Sequence, residues 1–510
     1  MPQMQAQPRQ IIRTAPLITC FLTCLSLAPG HPVQAQESEA IPDLDAITAA
    51  FAQQTEAAEP SPPQESWLDP LNLGGYLKNE TAYRFDEPRS ITKIRNIIGI
   101  HGNYDLKQDM SLTFSGWAYH DLAYNLFDYE TVSARFVRDE NQPLVFVDNL
   151  AQEKDSNVVQ LREFYVDMST ENADIRIGKQ FIVWGILEGI RVTDEINPLD
   201  FRELILPDLL DYRIPLWTAK VDYYSDDDTF QFLWIPDIKF HKPAPAGSEW
   251  ELLQTVPNTA PPDSYKFKNS EFGIRWSRSI ANTDISLSYF HTWDDFPVVF
   301  RSAELNAGTD PVFFPTFTQI SMFGATAARP MGIGIIKGEA AFVPDKYFGL
   351  KNDVDRNQDG FLDNQGELKR PHLRWGLGYD FSYWGADFSP AVSQWVIFNY
   401  DNGLLQDQFD TSLTLFVRKP LPEQSAVFQM LIINLVNLQE LYIKPKFIFN
   451  MTDHLQISTG LDLFYGLGSQ LGVSSSGGAI ANLSSIAQRA QFFGNFHDND
   501  RFFAEFKYTF

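Results

Sequence analysis

The chain ends on a stretch that admits few folds: Arg501-Phe502-Phe503-Ala504-Glu505-Phe506-Lys507-Tyr508-Thr509-Phe510. Every even position is apolar or aromatic, while the odd positions carry Arg, Phe, Glu, Lys and Thr. Period-two alternation places these sets on opposite faces of a strand. The same pattern recurs upstream. Leu373, Trp375, Leu377, Tyr379 and Phe381 alternate with Arg374, Gly376, Gly378, Asp380 and Ser382. Leu455, Ile457, Leu461, Leu463 and Tyr465 alternate with Gln456, Ser458, Gly460, Asp462 and Phe464. A soluble sandwich turns its polar face to bulk water and rarely ends on an aromatic strand. A barrel whose outer face meets lipid and whose inner face meets water satisfies both sets.

Connection lengths support the barrel. Short turns are expected at Asp105–Asp109, Thr170–Ala173, Ser225–Asp228, Ser279–Asn282, Pro330–Gly332, Tyr383–Ala386, Lys419–Gln424 and Asn450–Asp453. Mostly long connections lie between them: Asp121–Ser156, Trp184–Pro215, Pro236–Tyr265, Asp294–Pro315, Pro344–Lys369 and Gly466–Asn499. Short periplasmic turns alternating with long extracellular loops are the rhythm of outer-membrane barrels. The fold class expected is all-β, a transmembrane antiparallel barrel of about 18 strands, an even number that leaves both termini in the periplasm.

Bulk properties agree. Mean hydropathy is −0.22, and past residue 35 no stretch approaches the ~20 apolar residues of a spanning helix. A formal charge of −25 leaves no basic face for nucleic acid. Residues 1–35 read as a secretory signal, with Arg9 and Arg13 ahead of the apolar run Ala15–Leu27 and a small-x-small site at Val33-Gln34-Ala35. Both cysteines, Cys20 and Cys24, fall inside it. A lipoprotein leader is the alternative, although Thr19 and Thr23 stand where a small residue is expected. Residues 36–66 form an acidic, Pro-rich periplasmic linker in which Ile41, Leu44, Ile47 and Phe51 suggest one short helix. Residues 67–510 would be the barrel.

One segment carries a denser pattern: Leu161-Arg162-Glu163-Phe164-Tyr165-Val166-Asp167, then Ile177-Gly178-Lys179-Gln180, Val183-Trp184-Gly185 and Asn197-Pro198-Leu199-Asp200. It resembles a large, mostly uncharacterised family of Gram-negative outer-membrane porin-like barrels, marked by an LRE-Y-D strand, a G-K/R-Q strand, a V-W-G exit and an N-P-L-D loop. The resemblance is tight over residues 161–203 and elsewhere limited to strand rhythm and the aromatic end. It implies a porin-like barrel in the outer membrane and names no substrate.

After Trp184 the chain is too apolar to lie in water, with Ile186, Leu187, Ile190, Ile196, Leu199 and Leu204 needing burial. Folding it into the barrel mouth would place Arg191, Asp194, Glu195, Asp200, Arg202 and Glu203 in a constriction that sets selectivity. The alternative is a packed brace that permeant molecules never touch. Arg162, Arg176, Arg275, Arg374, Arg418, Lys444 and Asp462 are expected to face the lumen, either as pore lining or as mutually paired charges. Asp355, Asn357, Asp359, the Phe361 carbonyl and Asp363 match the front of a calcium loop, with Gly360 at the turn. The pattern departs where a closing Glu belongs, at Gly366. A solvated acidic turn is the plainer reading, and no cofactor is required.

No nucleophile elbow, phosphate-binding loop, zinc helix or dinucleotide fingerprint appears, so an enzyme is not expected. A Ser, His and Asp meeting only in space is the enzymatic alternative. The expected function is passive or gated passage of small, partly apolar molecules. A scaffold docking a periplasmic or surface partner, or a polymer-export barrel, is the rival. Expected partners are outer-membrane lipid and lipopolysaccharide, the barrel-insertion machinery through the Phe510 strand, a small permeant and further copies of the chain.

Overall fold

The computed structural model describes residues 71–510, apart from 88, 128–156, 245–248, 251–259, 303, 305–311, 352–353 and 467–491. The leader and linker lie outside the described residues. Eighteen strands form one closed antiparallel sheet. They run β1 Leu73–Arg84, β2 Ser90–Lys107, β3 Met110–Asp121, β4 Asn157–Ser169, β5 Ala173–Gln180, β6 Leu216–Ser225, β7 Asp228–Ile235, β8 Glu271–Ile280 and β9 Thr283–Trp293. After a separate hairpin, β10 Val298–Ser302 with β11 Val312–Thr316, the wall resumes with β12 Gln319–Met331, β13 Gly334–Gly349, β14 Glu367–Tyr383 and β15 Ala386–Ile397. It continues through β16 Phe409–Leu421, β17 Ala426–Leu435, β18 Glu440–Asn450, β19 Leu455–Tyr465 and β20 Arg501–Thr509. Pairing of β20 with β1, from Tyr76↔Thr509 to Arg84↔Arg501, closes the cylinder.

Each short turn falls where the alternation placed it. At Tyr383–Ala386 both central residues, Trp384 (φ 52°) and Gly385 (φ 67°), are left-handed, the twist that suits a two-residue hairpin. The hairpin β10–β11 was not anticipated within the Asp294–Pro315 connection. Its VVFRS and VFFPT segments are β-branched and aromatic enough to pair on their own.

The two faces separate as the alternation requires. On β20, Phe506 and Tyr508 are each 48% exposed on the outside, whereas Arg501 is 5% exposed within. Leu77, Ile98, Ile177, Leu287, Leu377 and Leu413 continue the exposed apolar surface around the wall. No described helix is long and apolar enough to cross a membrane. A cylinder this wide leaves room inside, and the apolar core therefore sits in the lumen, against segments that fold inward.

Candidate pore constriction

The segment between β5 and β6 leaves the wall and enters the lumen, and the family-like motif residues build that departure. Gly178, at φ 143°, lets β5 pass so close to β4 that a Cβ would lie 2.2 Å from the Phe164 carbonyl oxygen. Buried Gln180 donates to the Thr218 carbonyl at 3.0 Å. Trp184 donates to Gln231 at 2.6 Å and packs edge-on against Phe290. Gly185 lies where a Cβ would come within 3.3 Å of the Glu339 carboxylate.

That carboxylate, on the inner face of β13, pins the segment. Its Oε1 accepts the Ile186 and Leu187 N–H groups at 2.5 and 2.8 Å. Its Oε2 accepts the Thr193 N–H and hydroxyl at 2.9 and 2.7 Å. Around it Ile182, Trp184, Val192 and Ile196 pack on Leu216, Leu233, Phe290, Met322 and Val343. Burying four such side chains contributes about 1.5–3 kcal/mol each.

A neck then closes. Asn197 accepts the Ile182 N–H and donates to the Ile214 carbonyl, both at 2.8 Å. The Asp200 N–H donates to Tyr212 at 2.6 Å, and Leu199 bridges Arg213. Residues 201–211 form a tongue beyond this neck, and charge holds it to β2, β4 and β18. Glu203 pairs with Lys93 at 2.6 Å and with Arg95. Lys444 donates to the Leu206 carbonyl and Arg162 to the Leu210 carbonyl, each at 2.5 Å. Lys446 lies 3.7 Å from Asp208. Leu204 and Leu206 add an apolar foot on Trp250, Tyr442, Phe464, Phe493 and Phe496.

The residues expected in the constriction divide into two groups. Asp200, Arg202 and Glu203 line a partly open cavity of about 80 Å³ between tongue and wall, room for a handful of waters. Asp200 and Arg202 pair at 2.5 Å. Asp194 instead sits buried beneath the segment, bound by Arg213 and, at 3.6 Å, by Arg191. Glu195 reaches the wall at Arg374, 2.7 Å away. Burial pushes the Glu195 carboxyl up, but Arg374 and Arg191 outweigh it and hold it at about 2. Glu203 behaves alike, with burial opposed by Arg95 and Lys93 and a result of about 2. Glu249, beside the cavity, is pushed up by burial to about 7 despite Arg501 and Arg84.

Alternation along their strands puts Arg176, Arg275, Arg374, Arg418, Lys444 and Asp462 on the face opposite the exposed apolar side chains. Arg176 pairs with Asp167 at 2.6 Å and Arg418 with Asp387 at 3.6 Å. Arg374 and Lys444 hold the segment, and Arg275 sits on the inner face of β8 beside outward-facing Ile274. Asp462 accepts from Arg501 at 2.8 Å and from Tyr442 at 2.7 Å. Sequence reasoning did not single out Glu339, Lys93, Arg95 or Glu249. The first three were accessible in principle, as charges at inward positions of alternating strands.

In the 355–363 loop, Asp355 accepts the N–H groups of Asp359 and Gly360 at 3.2 and 3.0 Å. Asn357 donates to Asp359 at 2.9 Å, and Asp359 accepts the Phe361 N–H at 2.8 Å. Asp363 is bound by Arg356 at 3.0 Å. Among the described residues no three acidic, His or Cys side chains converge as a metal site. In this arrangement the side-chain oxygens accept from the backbone and from Arg356.

Several solved structures resemble the chain at low identity. A BenF-like porin from Pseudomonas fluorescens Pf-5 is 8% identical, with 87% of this chain and 99% of that one covered and a TM-score of 0.45. OccAB2 of Acinetobacter baumannii is 9% identical over 88% and 99%, also at 0.45. The trimer form of the Vibrio cholerae outer membrane protein OmpT is 11% identical over 86% and 99%, at 0.39. No curated protein matches the chain. A family model matches residues 79–357, more than half of the sequence and including the whole departure into the lumen; the chain belongs to that family, described as protein of unknown function (DUF1302).

Proposed function

We propose that the protein is an outer-membrane channel for small molecules, narrowed and gated by the segment between β5 and β6. The observation that carries this reading is the path of that segment. It crosses the lumen from an apolar wall to a charged wall, and Asp200, Arg202 and Glu203 line a small cavity beside it. The exposed apolar band outside suits lipid, and the lumen charges suit water. The terminal Phe510 pairs with Gly75 through hydrogen bonds of 2.9 and 3.0 Å, so the strand offered to the insertion machinery is also the one that closes the barrel.

Side chains at a narrow passage set selectivity through their charge. Carboxylates outnumber cations around the cavity: Glu80, Asp121, Asp200, Glu203, Asp211 and Glu249 against Lys93, Arg95 and Arg202. The channel should therefore favour cations. Residues 36–510 in planar bilayers should give discrete, cation-preferring current steps. Replacing Asp200, Arg202 and Glu203 together by alanine should change that preference. An unchanged cation-to-anion ratio would remove these residues from the conduction path and favour the brace.

A further inference from the structure

The wall is not equally tall all round. Strand β4 pairs with β3 from Met110↔Met168 to His120↔Asn157, almost its full length. Its other edge pairs with β5 only from Phe164↔Lys179 to Ser169↔Asp174, six residue pairs. The next hairpin, β6 with β7, has seven, and β13 with β14 has fourteen. Six residues at about 3.3 Å rise and about 45° tilt climb only ~14 Å, against an apolar band of ~25 Å. Among the described residues, 157–163 of β4 thus present a strand edge without a ladder partner on the β5 side, at the depth of the outer half of the membrane. Open sheet edges do not persist in hydrocarbon unless they line a cavity or are covered by protein.

A cavity lies behind this edge. Trp117 and Gln160, on the inner faces of β3 and β4, line the same space that Asp211 of the tongue and Tyr212 of the neck line. Outside, Val159 is 89% exposed and Leu161 is 42% exposed. Two cations flank the gap. Lys179 reaches up from β5 to the Leu161 carbonyl at 2.7 Å, capping one peptide group of the free edge. Arg162 occupies a β-bulge, unpaired between Leu161↔Gly116 and Glu163↔Ser115, and is thereby aimed inward. It is 7% exposed and lies over the Trp117 and Phe181 rings at 4.4 and 4.9 Å. Among the described residues neither cation has a carboxylate ion-pair partner; their partners are carbonyl oxygens.

We propose that the β4–β5 seam is a lateral portal, through which an amphiphile with an anionic head passes between the membrane and the lumen cavity. This rests on the channel reading for the barrel's place in the membrane. The apolar tail would lie on Val159 and Leu161, while the head moves from Lys179 to Arg162. Releasing Arg162 from the Leu210 carbonyl would loosen the tongue, so arrival of the ligand and opening of the passage share one side chain.

The test uses residues 36–510 in liposomes, with dodecyl sulfate as probe and dodecyltrimethylammonium as its cationic counterpart. The sequence has no cysteine beyond Cys24, so Val159→Cys can be labelled alone with a bulky maleimide. The label should sharply reduce dodecyl sulfate uptake while ion current persists. Dodecyl sulfate should be taken up in preference to dodecyltrimethylammonium. Arg162→Met with Lys179→Met should raise its half-saturating concentration about tenfold, as expected for a lost charge-assisted contact. Uptake unchanged by the label would overturn the portal. Equal uptake of both probes by the unlabelled wild type would overturn the anionic-head assignment. Label-sensitive uptake without ion current would support the portal and refute the channel reading, so the two failures are distinguishable.

Discussion

Glu339→Gln is nearly isosteric, yet it should free the first half of the lumen segment. The carboxylate accepts four hydrogen bonds, two at each oxygen. An amide keeps one acceptor oxygen and turns a donor toward the other pair. In the best arrangement the oxygen stays with Ile186 and Leu187. The Thr193 hydroxyl then rotates to accept from the new amide and donates to the Trp184 carbonyl, already 3.4 Å away. The Thr193 N–H is left without an acceptor. One buried unpaired N–H costs about 1–3 kcal/mol, and losing charge assistance at two bonds adds roughly 1 kcal/mol. A total of about 3 kcal/mol corresponds to roughly a 150-fold rise in local opening. Amide hydrogen exchange at Ile186, Leu187 and Thr193 would report it directly, with the β19–β20 ladder as an internal control. Exchange within threefold of wild type would refute the pin and assign the anchoring to the apolar cluster alone.

Other consequences follow from the same geometry. Glu249, raised from 4.5 to about 7, contributes stability that is complete below pH 4.5 and lost as pH rises through about 7. Its ionisation also adds negative charge beside the cavity. Cation preference should therefore rise between pH 6 and 8, and Glu249→Gln should abolish that rise. The tongue is held largely by ion pairs and the preceding stretch by apolar burial, so molar salt, with a screening length of about 3 Å, should speed amide exchange in 201–211 more than in 182–196. Equal salt effects on both would contradict this division. Because Arg356 holds Asp363, calorimetry of the folded barrel should find calcium binding weaker than about 1 mM at the 355–363 loop; micromolar affinity would show that the loop rearranges around the ion.

Much of the barrel was legible because period-two alternation is local. Phe506 and Tyr508 face outward and Arg501 and Asp462 inward as the spacing of the terminal strands requires. The turns were legible for the same reason. The interior was legible only in outline. Apolar residues after Trp184 revealed that the segment must be buried, but not that Asp194 would be neutralised by Arg213, nineteen residues on. Nor could spacing bring Glu339 of β13 to Thr193, or Lys93 of β2 to Glu203, since those pairings depend on which walls face each other across the closed lumen. The low β4–β5 seam was equally hidden. It follows from where β5 turns inward after Gln180, a tertiary choice that the strand's own residues do not encode.

In the proposed channel the tongue narrows the passage. The backbone hydrogen bond from Asp200 to Tyr212, at 2.6 Å, brings its two ends together, so residues 201–211 can be replaced by a short Gly-Ser linker with the neck intact. Single-channel conductance of this variant in planar bilayers should rise severalfold over that of residues 36–510, with weaker discrimination between cations and anions. Conductance and selectivity unchanged from wild type, in a barrel that folds normally, would mean that the tongue does not stand in the conduction path.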